Sequence, residues 1–342
     1  MDVIETLRSE DRAPWDAFVR EHPRGTFFHL TGWADVMQNT LGHRAHYLTA
    51  RRGGGILGVL PLVEIKSRLF GHALLSNAFC VAGGPLAFEA AVEDELMAAA
   101  AGLARDLNVD YAELKDTPRA PVGWQSHSEL YAGFERGIDA DEAACLTQIP
   151  RKQRAVVRKA NEGDLTVTID EGVDTVFELY SRTVRDHGTP VFPKALFKSL
   201  RDVFGTACEV LTVRQNEQPI SSVMSFYFRD RVLPYYTGSL PAARELGAND
   251  LMYWRLMRRA AERGCTVFDF GRSKVGTGPF SFKKNWGFPP RPITHQFYLH
   301  RAKALPNLNP TNPKFSLAVQ SWRKLPLPVA NLIGPFISRS LG

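Results

Sequence analysis

The sequence predicts an α+β protein made of two similar domains, and three observations carry that reading. The chain has 342 residues, too many for one ordinary core and about right for two domains of roughly 150 residues. A meander of short strand-like runs, then a long helical pattern, then another strand-like run occurs twice along it. Hydrophobic residues are 44% and charged residues 23%, as in an ordinary globular chain with a core in each half.

The first series opens with a helix carrying Trp15, Phe18 and Val19. A second helix follows, with Thr31 as its N-cap and Trp33, Val36, Met37 and Leu41 at helical spacing. Residues 46–51 and 56–65 flank Arg52-Gly53-Gly54-Gly55 and read as a hairpin. Residues 73–85 form an apolar strand ending in the turn Gly83-Gly84-Pro85. Residues 89–107 are Ala-rich and helical, and 111–115 and 130–134 read as strands.

The second series starts near Asp141. Residues 150–161 form a basic helix with Pro150 at its first position. A short strand at 165–169 and helices at 173–187 and 194–204 come next. Segments 208–214, 220–228 and 232–237 make an antiparallel meander. A strong helix over 250–263 is closed by Gly264. A strand at 267–270, a glycine-rich loop over 271–278 and a strand at 294–300 complete the series. Residue identity between the halves is too weak to show a sequence repeat, so the duplication is structural. The expected division is a first domain over 1–140, a second over 141–305 that carries the active site, and a tail over 306–342.

The net charge is +6, from 42 basic and 36 acidic residues. Six of the basic ones (Arg301, Lys303, Lys314, Arg323, Lys324, Arg339) lie after residue 300, where no acid occurs. The rest of the chain is formally neutral, which argues against a DNA surface or a large tRNA footprint. Cys80, Cys145, Cys208 and Cys265 lack metal or redox spacing and read as buried thiols. The nine histidines form no metal pattern. The first 20 residues lack an apolar secretory core, and no run is long and apolar enough to span a bilayer. A cytoplasmic protein is expected. In the tail, Phe315, Ala318, Val319 and Trp322 share one helical face beside Arg323 and Lys324. The tail either packs on the domains or makes a peripheral contact with an anionic membrane from its inner side.

Three motifs carry the chemistry. Thr237-Gly238-Ser239 followed by Arg244-Glu245-Leu246-Gly247-Ala248-Asn249 lies between a strand and a helix start. Free amides and the helix dipole there favour an anion, although Asn249 also suits a plain N-cap. Asp269 sits inside the apolar strand Phe268–Phe270, and Gly271-Arg272 leads on to Phe282-Lys283-Lys284. A strand carboxylate needs a partner, which Arg272 or Lys283 can supply. The pair reads either as a structural ion pair or as an acyl-transfer site. In the latter, a cation stabilises an oxyanion and the carboxylate handles a proton. On the basic helix, Arg151, Arg154 and Arg158 share a face beside Lys152 and Lys159. That face is either simply solvated or a wall for an anionic substrate. No Gly-x-Ser-x-Gly elbow and no Cys-His pair points to a covalent nucleophile, so direct attack by an amine is expected.

These residues resemble the FemAB family, acyl- and aminoacyltransferases with tandem GNAT-like domains. Phe28-His29-Leu30-Thr31-Gly32-Trp33 is similar to the family's early aromatic-x-x-x-x-Trp signature. Arg154 to Ala160 is similar to the basic helix that opens its second domain. Gly278 to Gly287 is similar to its Gly-x-x-x-Phe-Lys-x-x-Phe-Gly segment, with Trp286 replacing Phe. Arg244 and Gly247 match the GNAT loop that holds the pyrophosphate of coenzyme A, while Asn249 stands where Gly or Ala is usual. The overall resemblance is nearest to FemAB-related proteins of PEP-CTERM/exosortase and exopolysaccharide systems.

The resemblance implies two tandem GNAT-like domains with largely antiparallel mixed sheets flanked by helices. It also implies N-acyl or aminoacyl transfer to an amine of an envelope, polysaccharide or peptide precursor, a small, lipid-linked or nucleotide-linked acceptor. Lys283 matches the family lysine placed at the transferred group and would stabilise the oxyanion. Asp269 would orient the site or act as base. Arg154, Arg158, Lys159 and Arg272 would bind anionic parts of the substrates, and Tyr236 and Ser239 would line an acyl channel. Arg244, Gly247 and Asn249 would hold the donor phosphates. The donor is acyl-CoA or aminoacyl-tRNA, with no tightly bound cofactor and no metal. The neutral core and the lack of the coiled-coil arm of some tRNA-dependent members favour acyl-CoA. A non-catalytic scaffold is the competing class.

Overall fold

The computed structural model describes residues 3–305 and 316–341. Along the chain, β1 (Val3–Thr6) and α1 (Arg12–Glu21) precede a broken helical stretch that begins with α2 (Gly32–Asp35). Then come β2 (Arg44–Ala45), β3 (Leu48–Arg52), β4 (Gly55–Leu60), β5 (Leu62–Ser67), β6 (Gly71–Ser76) and β7 (Leu86–Ala87). The long helix α3 (Ala90–Asp106), β8 (Tyr111–Leu114), β9 (Gln125–His127) and β10 (Tyr131–Gly137) follow. Next are α4 (Glu142–Thr147), α5 (Arg151–Glu162), β11 (Leu165–Asp170), α6 (Asp174–Asp186) and α7 (Lys194–Phe204). The meander is β12 (Cys208–Gln215), β13 (Gln218–Phe228) and β14 (Arg231–Ser239). After it lie α8 (Ala242–Glu245), α9 (Ala248–Glu262), β15 (Val267–Lys274), α10 (Gly278–Asn285), β16 (Pro290–Pro292) and β17 (His295–Leu299). The last helices are α11 (Ser316–Arg323) and α12 (Leu327–Ser338).

These elements form two compact units, residues 1–131, 292–308 and 339–342 in one and 132–291 and 309–338 in the other. The first unit holds a four-stranded sheet, β1-β3-β4-β7, and a six-stranded sheet, β2-β5-β6-β8-β17-β9. Its core sets Leu96, Met97, Ala100 and Ala104 of α3 against Leu48, Leu60 and Leu74 of the strands. Those helix positions recur at the spacing of one buried face. The 52–55 hairpin forms as expected, its two turn glycines both at positive φ.

The second unit is built on one seven-stranded sheet, β11-β12-β13-β14-β15-β10-β16. β11 to β14 pair antiparallel in sequence order. One face packs on α9 and the other on α6. Gly238 makes the second contact possible. A Cβ there would stand 2.1 Å from the Tyr180 nitrogen and 2.2 Å from the Leu179 carbonyl carbon. Backbone cannot yield as a side-chain tip can, so Gly238→Ala is expected to cost about 3 kcal/mol or more. A chemical-denaturation midpoint equal to wild type would refute that close packing.

The structure departs from several sequence expectations. The run 56–65 divides at Pro61 into β4 and β5, which belong to different sheets. The second helix is one α turn followed by π-helical Val36–Thr40, and the Thr31 side chain bonds Asp16 instead of capping it. Pro150 is the N-cap of α5, one residue before the expected place. Residues 271–274, expected as loop, continue β15, and the segment after Gly278, for which the sequence predicts no helix or strand, is the helix α10 with Pro279 in its first turn. β10 serves the second unit's sheet and β17 the first unit's. Boundaries at 140 and 305 therefore miss this exchange of strands. All four cysteines are buried. Phe315 and Lys314 of the tail lie outside the described residues.

Candidate active site

A break in the second sheet creates the site. β14 and β15 pair in parallel only at Arg231–Val267 and Val232–Phe268. Beyond that, β14 continues to Ser239 and β15 to Lys274 with no further register pair between the two. A bulge contributes to the parting: Met224 pairs with Tyr236 and Ser225 with Pro234, leaving Tyr235 as the extra residue. Bulges bend and twist a strand locally. Two strands that part in this way leave room between them for an extended, amide-bearing chain.

The start of α9 contributes amides. Its N-cap Gly247 is left-handed at φ 67 and makes no side-chain cap, so the first-turn N–H groups lack a side-chain acceptor from the cap. The glycine is also needed for space, since a Cβ would lie 2.8 Å from Val156 Cγ1 of α5. Asn249 is not the cap. It lies within α9, where its Oδ1 accepts from Ser221 Oγ at 2.6 Å and its Nδ2 donates to Ser239 Oγ at 3.4 Å. Asn249 thus ties β13 and β14 to α9, a contact that Gly or Ala could not make. Arg244 stands exposed on α8.

Lys283 projects from α10 and donates to the carbonyl oxygens of Phe270 at 2.6 Å and Arg272 at 3.0 Å. Its ammonium lies 5.4 Å from the Phe134 ring centre and 5.8 Å from that of Phe270. Burial pushes its pKa down to about 8, against a smaller upward pull from Asp269. Asp269 accepts from the Gly271 amide at 2.8 Å. It keeps some exposed surface, yet the atoms crowding its carboxyl raise its pKa to about 6, with the Gly271 bond opposing. Asp269 and Lys283 feel each other's charge but form no ion pair. The cation is held by carbonyls and the carboxylate by an amide.

Aromatic rings wall the Lys283 side. Tyr253 of α9 packs 4.8 Å from Phe270 and 5.7 Å from Phe282, with its hydroxyl 3.4 Å from Thr237 Oγ. Trp286 is fully buried and donates to Asp250 Oδ1 at 2.9 Å. Sequence reasoning missed Tyr253. A tyrosine on an otherwise apolar helix face, ahead of a Phe-rich strand, was the available signal. Tyr236 lies on the other face of the sheet, with Tyr180 of α6 at 5.5 Å and Phe197 of α7 at 4.9 Å. It is therefore set apart from Lys283, whereas Ser239 joins the Asn249 network.

The basic helix α5 packs against α9. Arg151, Arg154, Arg158 and Lys159 line a groove of about 550 Å³, which Glu162 also lines. None of the four side chains forms an ion pair or hydrogen bond among the described residues. Arg272 lies on β15. The structure thus brings Lys283 of α10 beside β15, which carries Asp269 and Arg272, and brings Gly247, Asn249 and Ser239 to the start of α9. The α5 cations line a groove of their own, and Tyr236 faces elsewhere.

Residues 145–284 match the family model described as an acetyltransferase (GNAT) domain. No curated protein matches the sequence. Among solved structures, FemX superposes with a TM-score of 0.68 at 17% identity, covering 87% of this chain and 98% of that one. A tandem GNAT protein from the clavulanic acid biosynthesis pathway gives 0.56 at 12%, covering 89% and 100%. The C-terminal domain of a putative lysylphosphatidylglycerol synthetase from Agrobacterium fabrum gives 0.54 at 13%, covering 85% and 93%. The fold is GNAT, with mixed sheets flanked by helices and tandem GNAT-like neighbours. No helix among the described residues is long and apolar enough to cross a membrane.

Proposed function

We propose that the protein is an N-acyltransferase that moves an acyl or aminoacyl group from an activated carrier to an amine. The amine belongs to an envelope, polysaccharide or peptide precursor. The observation that carries this reading is the parted β14–β15 pair with Lys283 beside it and the first turn of α9 at its open end. An extended donor would lie between the parted strands and set its phosphate against the α9 amides and Arg244. The amine attacks the carbonyl carbon, and Lys283 stabilises the oxygen as it gains charge. Asp269 takes the proton that the amine sheds, directly or through water. Collapse of the tetrahedral adduct then breaks the bond to the carrier, with no acyl-enzyme.

Acyl-CoA suits the site better than aminoacyl-tRNA, because residues 1–300 are formally neutral. A mass-shift screen with acyl-CoA and aminoacyl-tRNA donors against simple amine acceptors tests this. Transfer from charged tRNA alone would reverse the donor assignment, and transfer from neither would favour a scaffold. The α5 cations bind anionic parts of donor or acceptor. Arg154→Glu with Arg158→Glu is expected to raise KM for the anionic substrate by about tenfold to a hundredfold. It should also flatten the salt dependence of KM. An unchanged KM and salt slope would return this face to a solvated role.

A further inference from the structure

The helices after residue 315 cover α6 in an unusual way. α11 and α12 both contact it, and Arg185 Nη1 of α6 donates to the Leu325 carbonyl at 2.8 Å. α12 turns Ala330, Gly334 and Ser338 inward. A Cβ on Gly334 would lie 2.9 Å from Val191 Cγ1 and 3.0 Å from the Val191 nitrogen, so this seam admits only small residues. Large apolar side chains of α12 are left exposed in consequence: Val329 is 41% exposed, Leu332 70%, Ile333 37% and Phe336 65%. A helix packed for burial in its own domain would show the reverse order.

Charge identifies what covers this strip. Arg323 and Lys324 stand exposed immediately before α12, and no acid occurs from residue 301 to the last residue. An apolar strip flanked by cations without acids complements an anionic bilayer surface. At 12 residues, α12 is too short to span a bilayer and suits lying along one. We infer that α12 is a bilayer-docking surface. Leu332 and Phe336 enter the acyl boundary while Arg323 and Lys324 sit among anionic headgroups. The inference does not depend on the chemistry proposed for Lys283.

The test is sedimentation of the full chain with vesicles of phosphatidylcholine alone and of phosphatidylcholine mixed equally with phosphatidylglycerol. Wild type is expected to bind the mixed vesicles at least tenfold more tightly, with binding that weakens as salt rises. Leu332→Asp with Phe336→Asp should cut that binding at least tenfold. Arg323→Glu with Lys324→Glu should cut it by roughly fivefold or more for each charge. The four side chains are outside the core, so circular dichroism and melting should stay at wild-type values. Wild-type binding by the Leu332/Phe336 variant would overturn the inference, as would indifference of the wild type to phosphatidylglycerol. So would a dimer that this variant dissociates and that binds no vesicles, since a second copy would then cover the strip.

Discussion

Lys283→Ala is expected to lower the transfer rate by about 10²–10³-fold, the scale for removing one preorganised oxyanion donor. The geometry makes this variant costly in a second way. The ammonium already serves the carbonyls of Phe270 and Arg272, so removing it leaves two inner acceptors short of a charged donor. That loss is expected to cost about 1–3 kcal/mol of stability. The two effects separate by measurement: kcat at saturating donor reports the chemistry, and a denaturation curve reports the staple. A folded Lys283→Ala protein with wild-type kcat would show that the staple is the whole of the residue's role. The wild-type rate should also fall as pH rises through about 8, where Lys283 loses its proton, and this limb should vanish in the variant.

The sequence made much of this site visible, and the parts it hid have physical reasons. Lys283, Asp269, Gly247 and the α5 cations are chemically conspicuous, being charges or glycines in apolar surroundings. The meander of β12 to β14 and the helix α9 were legible because period 2 and period 3.6 are local signals. β15 beyond Phe270 was not, because Gly271 is at φ 64 and the polar residues after it resemble a loop. Yet Ser273 is buried, and only tertiary context supplies that. α10 was hidden because its Phe, Ser and Lys residues show no clean apolar stripe and Pro279 reads as a breaker. The destination of β17 was beyond local pattern altogether. It pairs with Tyr111–Leu114, and nothing in five residues encodes a partner so far back in the chain. Asn249 shows the same limit at the site: its type fits a cap, but its position inside α9 makes it a tie between strands.

Asp269→Asn should reveal what the fold gives up at this site. In the folded protein burial raises the Asp269 pKa from 3.8 to about 6. Between those values the folded state holds a proton that the unfolded chain has released. The sign follows directly: stability from this group is full below about pH 4 and is lost as pH rises to 6. Above pH 6 the folded protein carries a crowded carboxylate whose charge is poorly compensated. Asparagine keeps an oxygen for the Gly271 amide without the charge. The variant is therefore expected to be more stable at pH 7 by about 1–3 kcal/mol. Lys283 adds a slope of its own at high pH. Its folded pKa of about 8 lies below the ordinary 10.5, so the unfolded chain binds more protons between them and stability rises with pH there. Activity should move the opposite way in the variant. Without a carboxylate to accept the amine's proton, transfer should fall by about a hundredfold or more, and the acidic limb of the rate profile near pH 6 should disappear. Gain of stability with loss of rate marks a group retained for chemistry at the fold's expense. If Asp269→Asn instead destabilises the protein at pH 7 and leaves the acidic limb in place, Asp269 is a structural tie to Gly271 and the base must lie elsewhere.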